Sequence, residues 1–157
     1  DLGARLIINL EKLYLSLKKL ELKDSPIDEY YKLSHELGIA QKEMNKLQNK
    51  LFGIECNFEE LNGLDFKKGC YVGQENTARI KLKNKLSKRL LPVQLIEGKL
   101  NQDDLIYSGE FEIGKVLING EHPFALVKYL DDNFVGKDEF KSKNGNLKIK
   151  IPTWIKV

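Results

Sequence analysis

Lys88-Arg89-Leu90-Leu91-Pro92-Val93-Gln94-Leu95-Ile96 is where this chain changes character. Upstream, apolar residues recur at helical spacing. From here on they come in short β-rich runs, at residues 90–96, 114–118, 124–129 and 147–151. Turn-forming clusters separate the runs: Glu97-Gly98, Ser108-Gly109, Asn119-Gly120, Asp131-Asp132-Asn133 and Asn144-Gly145-Asn146. Many short strands at close spacing predict a small barrel or sandwich. The lysine-rich stretch 81–88 is the expected boundary, which divides the chain into residues 1–86 and 87–157. A chain of 157 residues is long enough for two such small units. Trp154 is expected in the barrel core.

Working back from the boundary, residues 3–9 read as a strand, with Ile7 and Ile8 β-branched. Leu10, Leu13, Leu17 and Leu20 then mark a helix over residues 10–22. Asp24-Ser25-Pro26 signals a helix start, with Ser25 as N-cap and Pro26 in the first turn. That helix spans residues 27–37 and stops at Gly38. Residues 41–51 predict another short helix, and residues 58–61 one further turn before Asn62-Gly63. The fold class is α+β.

Composition excludes several classes. The 41% apolar content supports a core, and no apolar run is long enough for a membrane span. Net charge is only +3, and of 26 Lys and Arg residues just Arg5, Arg79 and Arg89 are arginines. Nucleic-acid readers lean on the planar arginine fork, so direct nucleic-acid binding is not expected. The cysteines, Cys56 and Cys70, form no CxxC, and His35 and His122 lie far from both and from each other in sequence. This argues against a self-contained zinc site and for a reducing, cytoplasmic setting. The chain opens at Asp1 inside what reads as structured sequence, so we expect preceding residues to complete the protein.

One stretch fits no periodicity. Residues 68–75, Lys68-Gly69-Cys70-Tyr71-Val72-Gly73-Gln74-Glu75, combine a thiol, an ammonium, two glycines, an amide and a carboxylate. A loop over residues 67–72 followed by a helix over residues 73–81 places Cys70 near a helix N-terminus. That position and the charges of Lys67 and Lys68 both favour thiolate. Gly69 and Gly73 would allow sharp bending. Gln74 and Glu75 can brace the loop by bonding backbone N–H groups. Arg79 and Lys81 would complement the helix dipole at its C-terminal end. Read without further context, a buried apolar cysteine fits the octet as well as a reactive one does.

The Lys-Gly-Cys-Tyr-x-Gly-Gln-Glu run resembles the signature of the YgfZ family, folate-binding proteins of iron–sulfur cluster maintenance related to the glycine-cleavage T-protein. The likeness extends to Asn62-Gly63-Leu64-Asp65-Phe66 before the octet and Thr77-Ala78-Arg79 after it. Lys88-Arg89-Leu90 resembles the entry to the family's barrel, and Leu37-Gly38-Ile39 an upstream element in which Ala40 replaces a proline. Gly109, Gly114-Lys115-Val116 and Ala125-Leu126 resemble the barrel strands. One departure is Asn84, where the family commonly has glycine.

The resemblance implies the second half of a T-protein-like folate-binding α+β domain followed by a small antiparallel β-barrel. It implies tetrahydrofolate as cofactor and Cys70 as the functional thiol, tuned by Lys68 and able to contact an iron–sulfur cluster transiently. Glu55 corresponds to a pterin-contacting glutamate, although a helix-flanking surface role fits it equally well. Arg79 could meet the folate carboxylates or cap its own helix, and Tyr71 could cover the cavity or fill a core. Expected partners are folate, assembly or client proteins, and the preceding segment of the same protein. In the bacterial branch the effect reaches enzymes that modify transfer RNA. The alternative function is a folate-dependent aminomethyltransferase. A nucleic-acid module built on the basic hinge ranks third.

Overall fold

The computed structural model describes residues 2–69, 74–82 and 86–155. Six antiparallel strands build the second half: β1 (Arg89–Gly98), β2 (Leu105–Ser108), β3 (Phe111–Ile118), β4 (Phe124–Val127), β5 (Glu139–Ser142) and β6 (Gly145–Ile149). They close into a barrel in the order β1-β4-β3-β2-β5-β6, with β6 pairing back onto β1. Alternate side chains point inward. Leu91 and Val116 both sit opposite Ala125, and all three are fully buried. A small residue between two larger ones lets the narrow interior fill without strain. Gly114 is required where β3 meets β4, because a Cβ there would lie 2.6 Å from the Leu126 carbonyl oxygen.

The four runs anticipated as strands are all present with shifted ends. β2 and β5 were not anticipated. Each has four residues, and β5 buries only Phe140. A strand this short is held by its neighbours rather than by its own pattern.

The barrel also has a covered outer face. Leu90, Leu117, Ile118 and Phe124 form a second buried cluster with Leu47, against which Ala40, Met44, Leu51 and Cys56 pack. Strands buried on both faces read as continuous apolar runs, which explains Leu90-Leu91 and Leu117-Ile118. The covering segment is a single 3-10 turn, Met44–Leu47, followed by tight turns rather than the short helix expected over residues 41–51.

Three α-helices are described: α1 (Leu10–Lys19), α2 (Ile27–Glu36) and α3 (Gln74–Leu82). Asn9 caps α1 by accepting the Glu11 N–H at 2.9 Å. No residue of α1 is buried. At α2 the N-cap is Pro26, not Ser25; the Ser25 hydroxyl bonds the Glu29 carboxylate instead. Its other end is a Schellman motif. Gly38, at φ +74°, donates to the His35 carbonyl, and Ile39 donates to that of Ser34.

The strand expected over residues 3–9 does not form, and Ile7 is 97% exposed. A strand needs a partner, and a closed barrel offers no free edge. Trp154 is half-buried rather than central. Its indole N–H donates to the Leu37 carbonyl at 2.7 Å, tying the end of α2 to the end of the barrel. Among the described residues no helix is long and apolar enough to cross a membrane.

Candidate functional site

The site is organised by the turn segment leading into the octet. Residues 52–64 fold through overlapping backbone bonds, from Phe52 to Glu55, Gly53 to Phe58 and Asn57 to Leu61. Asn57 adopts φ +62°, a left-handed conformation that asparagine tolerates. The segment grips the first residues of β1. The Leu90 N–H donates to the Glu55 carbonyl at 2.8 Å, and the Asn57 amide donates to the Leu90 carbonyl at 2.8 Å.

Arg89 enters the interior from this junction. Its guanidinium donates to the Asn57 Oδ1 at 3.2 Å and pairs with the Glu60 Oε1 at 2.6 Å. It also lies over the Tyr129 ring at 5.5 Å. The Arg89 and Glu60 side chains are 6% and 7% exposed. Even so, Arg89 Nε and Glu60 Oε2 are buried without a hydrogen-bond partner among the described residues. An unmet buried donor or acceptor costs about 1–3 kcal/mol. Removing one partner of a buried ion pair costs about 3–5 kcal/mol.

Both residues line a cavity of about 690 Å³ with Glu59, Asn62, Leu64, Asp65, Phe66, Lys67 and Lys81. Lys81 pairs with Glu59 and lies over the Phe66 ring at 4.1 Å. The Lys67 N–H donates to the Asp65 carboxylate at 2.8 Å, turning the chain toward the octet. The wall therefore mixes ammonium, carboxylate, amide and aromatic groups, a lining suited to a polar heteroaromatic ligand.

The sequence-predicted residues distribute as follows. Cys70, Tyr71 and Gly73 lie outside the described residues, as do the side chains of Gln74 and Glu75. Lys68 and Gly69 are exposed. Gly69 lies outside the left-handed region and a Cβ on it would meet nothing, so the bend does not use the glycine there. Arg79 sits in the last turn of α3 with Lys81, and it is exposed. Glu55 uses one carboxylate oxygen to accept the Phe52 N–H at 3.0 Å. Neither Arg79 nor Glu55 lines the cavity among the described residues. Sequence reasoning missed Asn57, Glu60 and Phe66. Arg89 carried a signal, as one of three arginines placed where a strand begins.

The remaining reactive groups lie elsewhere. Cys56 is half-buried, and burial, with help from Glu55, pushes its thiol up to about 11. His35 and His122, distant in sequence, come together with ring centroids 5.6 Å apart. His35 Nε2 is 3.0 Å from the Pro123 carbonyl, and burial lowers its pKa. Among the described residues no group of three His, Cys, Asp or Glu side chains could hold a metal ion.

No protein-family model matches the chain. It is 43% identical over 72 residues to the mitochondrial iron–sulfur cluster assembly factor IBA57 homolog of Aspergillus oryzae, covering 46% of this chain and 16% of that protein. Against the homolog of Neurospora crassa it is 34% identical over 120 residues, covering 76% of this chain and 27% of the relative. The IBA57 protein of Mus musculus is 38% identical over 74 residues, covering 47% of this chain and 20% of that one. The chain thus spans about a quarter or less of the length of these curated relatives. The octet, the barrel that follows it and these matches agree: the chain belongs to the YgfZ-type family that includes the IBA57 iron–sulfur cluster assembly factors.

Proposed function

We propose that this chain supplies the thiol and one wall of the ligand cavity in a tetrahydrofolate-binding factor of iron–sulfur cluster assembly. The observation that carries the reading is the complete octet of residues 68–75 in a chain whose relatives are iron–sulfur cluster assembly factors by name. Cys70 is the working group. As thiolate it is a soft ligand suited to iron in a cluster, which is the cargo. One thiol cannot hold a cluster alone, so assembly or client proteins bring the others. Lys67 and Lys68 precede it on an exposed approach and favour its ionised form.

Tetrahydrofolate fits the cavity chemically. The ligand supplies a planar ring with adjacent donors and acceptors and a carboxylate tail. Glu60 and Arg89 offer the complementary acceptor and donor, while Lys67 and Lys81 offer charge for the tail. Preceding residues of a longer protein complete the cavity and cover the exposed apolar side chains of Leu6, Ile7 and Leu10. The compartment is a reducing one, cytoplasmic or, as in the relatives' names, mitochondrial. Enzymes that modify transfer RNA are among the proposed clients. Deleting the complete protein from its cells should lower the activity of iron–sulfur enzymes without lowering their abundance. Unchanged activity would remove the proposal, and robust aminomethyl transfer from a lipoyl carrier would replace it with the transferase alternative.

A further inference from the structure

We propose that Glu60 and Arg89 form a ring-reading pair for a planar heterocycle that presents an N–H beside a ring carbonyl. The inference rests on the reading of the cavity as a folate site, and it names the groups that recognise the ring. It starts from what the ion pair leaves undone. The 2.6 Å contact uses Glu60 Oε1 and one terminal nitrogen of Arg89. The other terminal nitrogen goes to Asn57. What remains is one carboxylate oxygen and the Nε–H, both buried and both without a partner among the described residues.

A lone acceptor and a lone donor on one ion pair are the complement of a lactam edge. The ligand N–H would donate to Glu60 Oε2, and Arg89 Nε would donate to the ligand carbonyl. Such charge-assisted, paired bonds are directional and exclude rings that lack either group. Both atoms are buried although both residues line the cavity, so binding would include a side-chain shift of the pair. Phe66 offers a face for the ring, and the Lys67 and Lys81 ammoniums offer charge for an anionic tail. Glu55 does not compete for this role, since it is engaged in its own turn and lies off the cavity lining.

The test is calorimetric binding to the complete protein, with tetrahydrofolate, guanosine monophosphate and a p-aminobenzoylglutamate fragment as probes. Glu60→Gln should weaken tetrahydrofolate at least tenfold and leave the ring-free fragment within twofold. Arg89→Lys keeps the charge opposite Glu60 but lacks Nε. It should show the same selective loss, and it serves if Glu60→Gln fails to fold. Glu55→Gln should stay within twofold. If both Glu60→Gln and Arg89→Lys bind tetrahydrofolate normally while Glu55→Gln loses tenfold, the ring is read elsewhere: the inference falls and the folate reading survives. If tetrahydrofolate does not bind but guanosine monophosphate does, in a Glu60-dependent way, the pair stands and the folate reading falls. If neither ring binds, both fall.

Discussion

The two thiols, Cys56 and Cys70, should differ in reactivity. Cys56 packs against the outer face of the barrel, where burial raises its pKa to about 11. A Cys70→Ser protein should therefore react with a disulfide reagent at neutral pH far more slowly than a Cys56→Ser protein, with rate rising as pH approaches that value. Equal rates would contradict the assignment. His35 makes a second prediction. Its folded pKa lies below the ordinary value of 6.5 because burial disfavours the charge, with His122 adding to the effect and Glu36 opposing it. Between the folded value and 6.5 the unfolded chain binds more protons, so stability is full above that window and declines as pH falls through it. The same cleft is lined by Lys32, Glu121, His122, Lys148 and Lys150. The urea midpoint should drop as pH falls below 6.5 in the native protein, and drop less in His35→Gln; an identical drop would assign it to other groups. Nothing in the sequence foretold the His35–His122 contact, since the meeting is made by α2 docking on the loop before β4. The Glu60–Arg89 pair was invisible for a similar reason. A glutamate among charged neighbours looks solvated until the fold buries it.

At the scale of elements, the end of α2 was legible and the reason for its sharpness was not. Gly38 was anticipated as a helix stop, and its φ of +74° agrees. What sequence could not give is Pro152, which fills the space a Cβ at Gly38 would need. Gly38→Ala should thus lose about 1–2 kcal/mol from backbone strain and more from the clash. Pro152→Ala in the same chain should recover part of the loss. Additive losses in the double variant would show that the two residues do not share this space. The strands anticipated after Lys88 formed because their turn signals and β-branched runs agreed. The segment before α1 shows the limit of that logic. Leu6, Ile7 and Ile8 have the composition of a strand, but among the described residues the barrel is closed and offers them no hydrogen-bonding edge.

For the molecule as a whole, the barrel is a frame with two uses. Its interior supplies the larger core, and its outer face, with the Arg89 junction, anchors the turn segment that leads to the octet. Four of the strands could be read from short β-rich runs between turn signals, and the octet from its chemistry. The cavity could not, because it arises where residues 59–67, α3 and β1 converge. The central claim is that Cys70 is the thiol through which the complete protein serves iron–sulfur assembly. The most direct measurement is iron–sulfur enzyme activity in cells lacking the protein and complemented with Cys70→Ala or, in parallel, Cys56→Ala at equal abundance. The account predicts that Cys56→Ala restores activity and Cys70→Ala does not, with tetrahydrofolate binding intact in both. Full restoration by Cys70→Ala would contradict it.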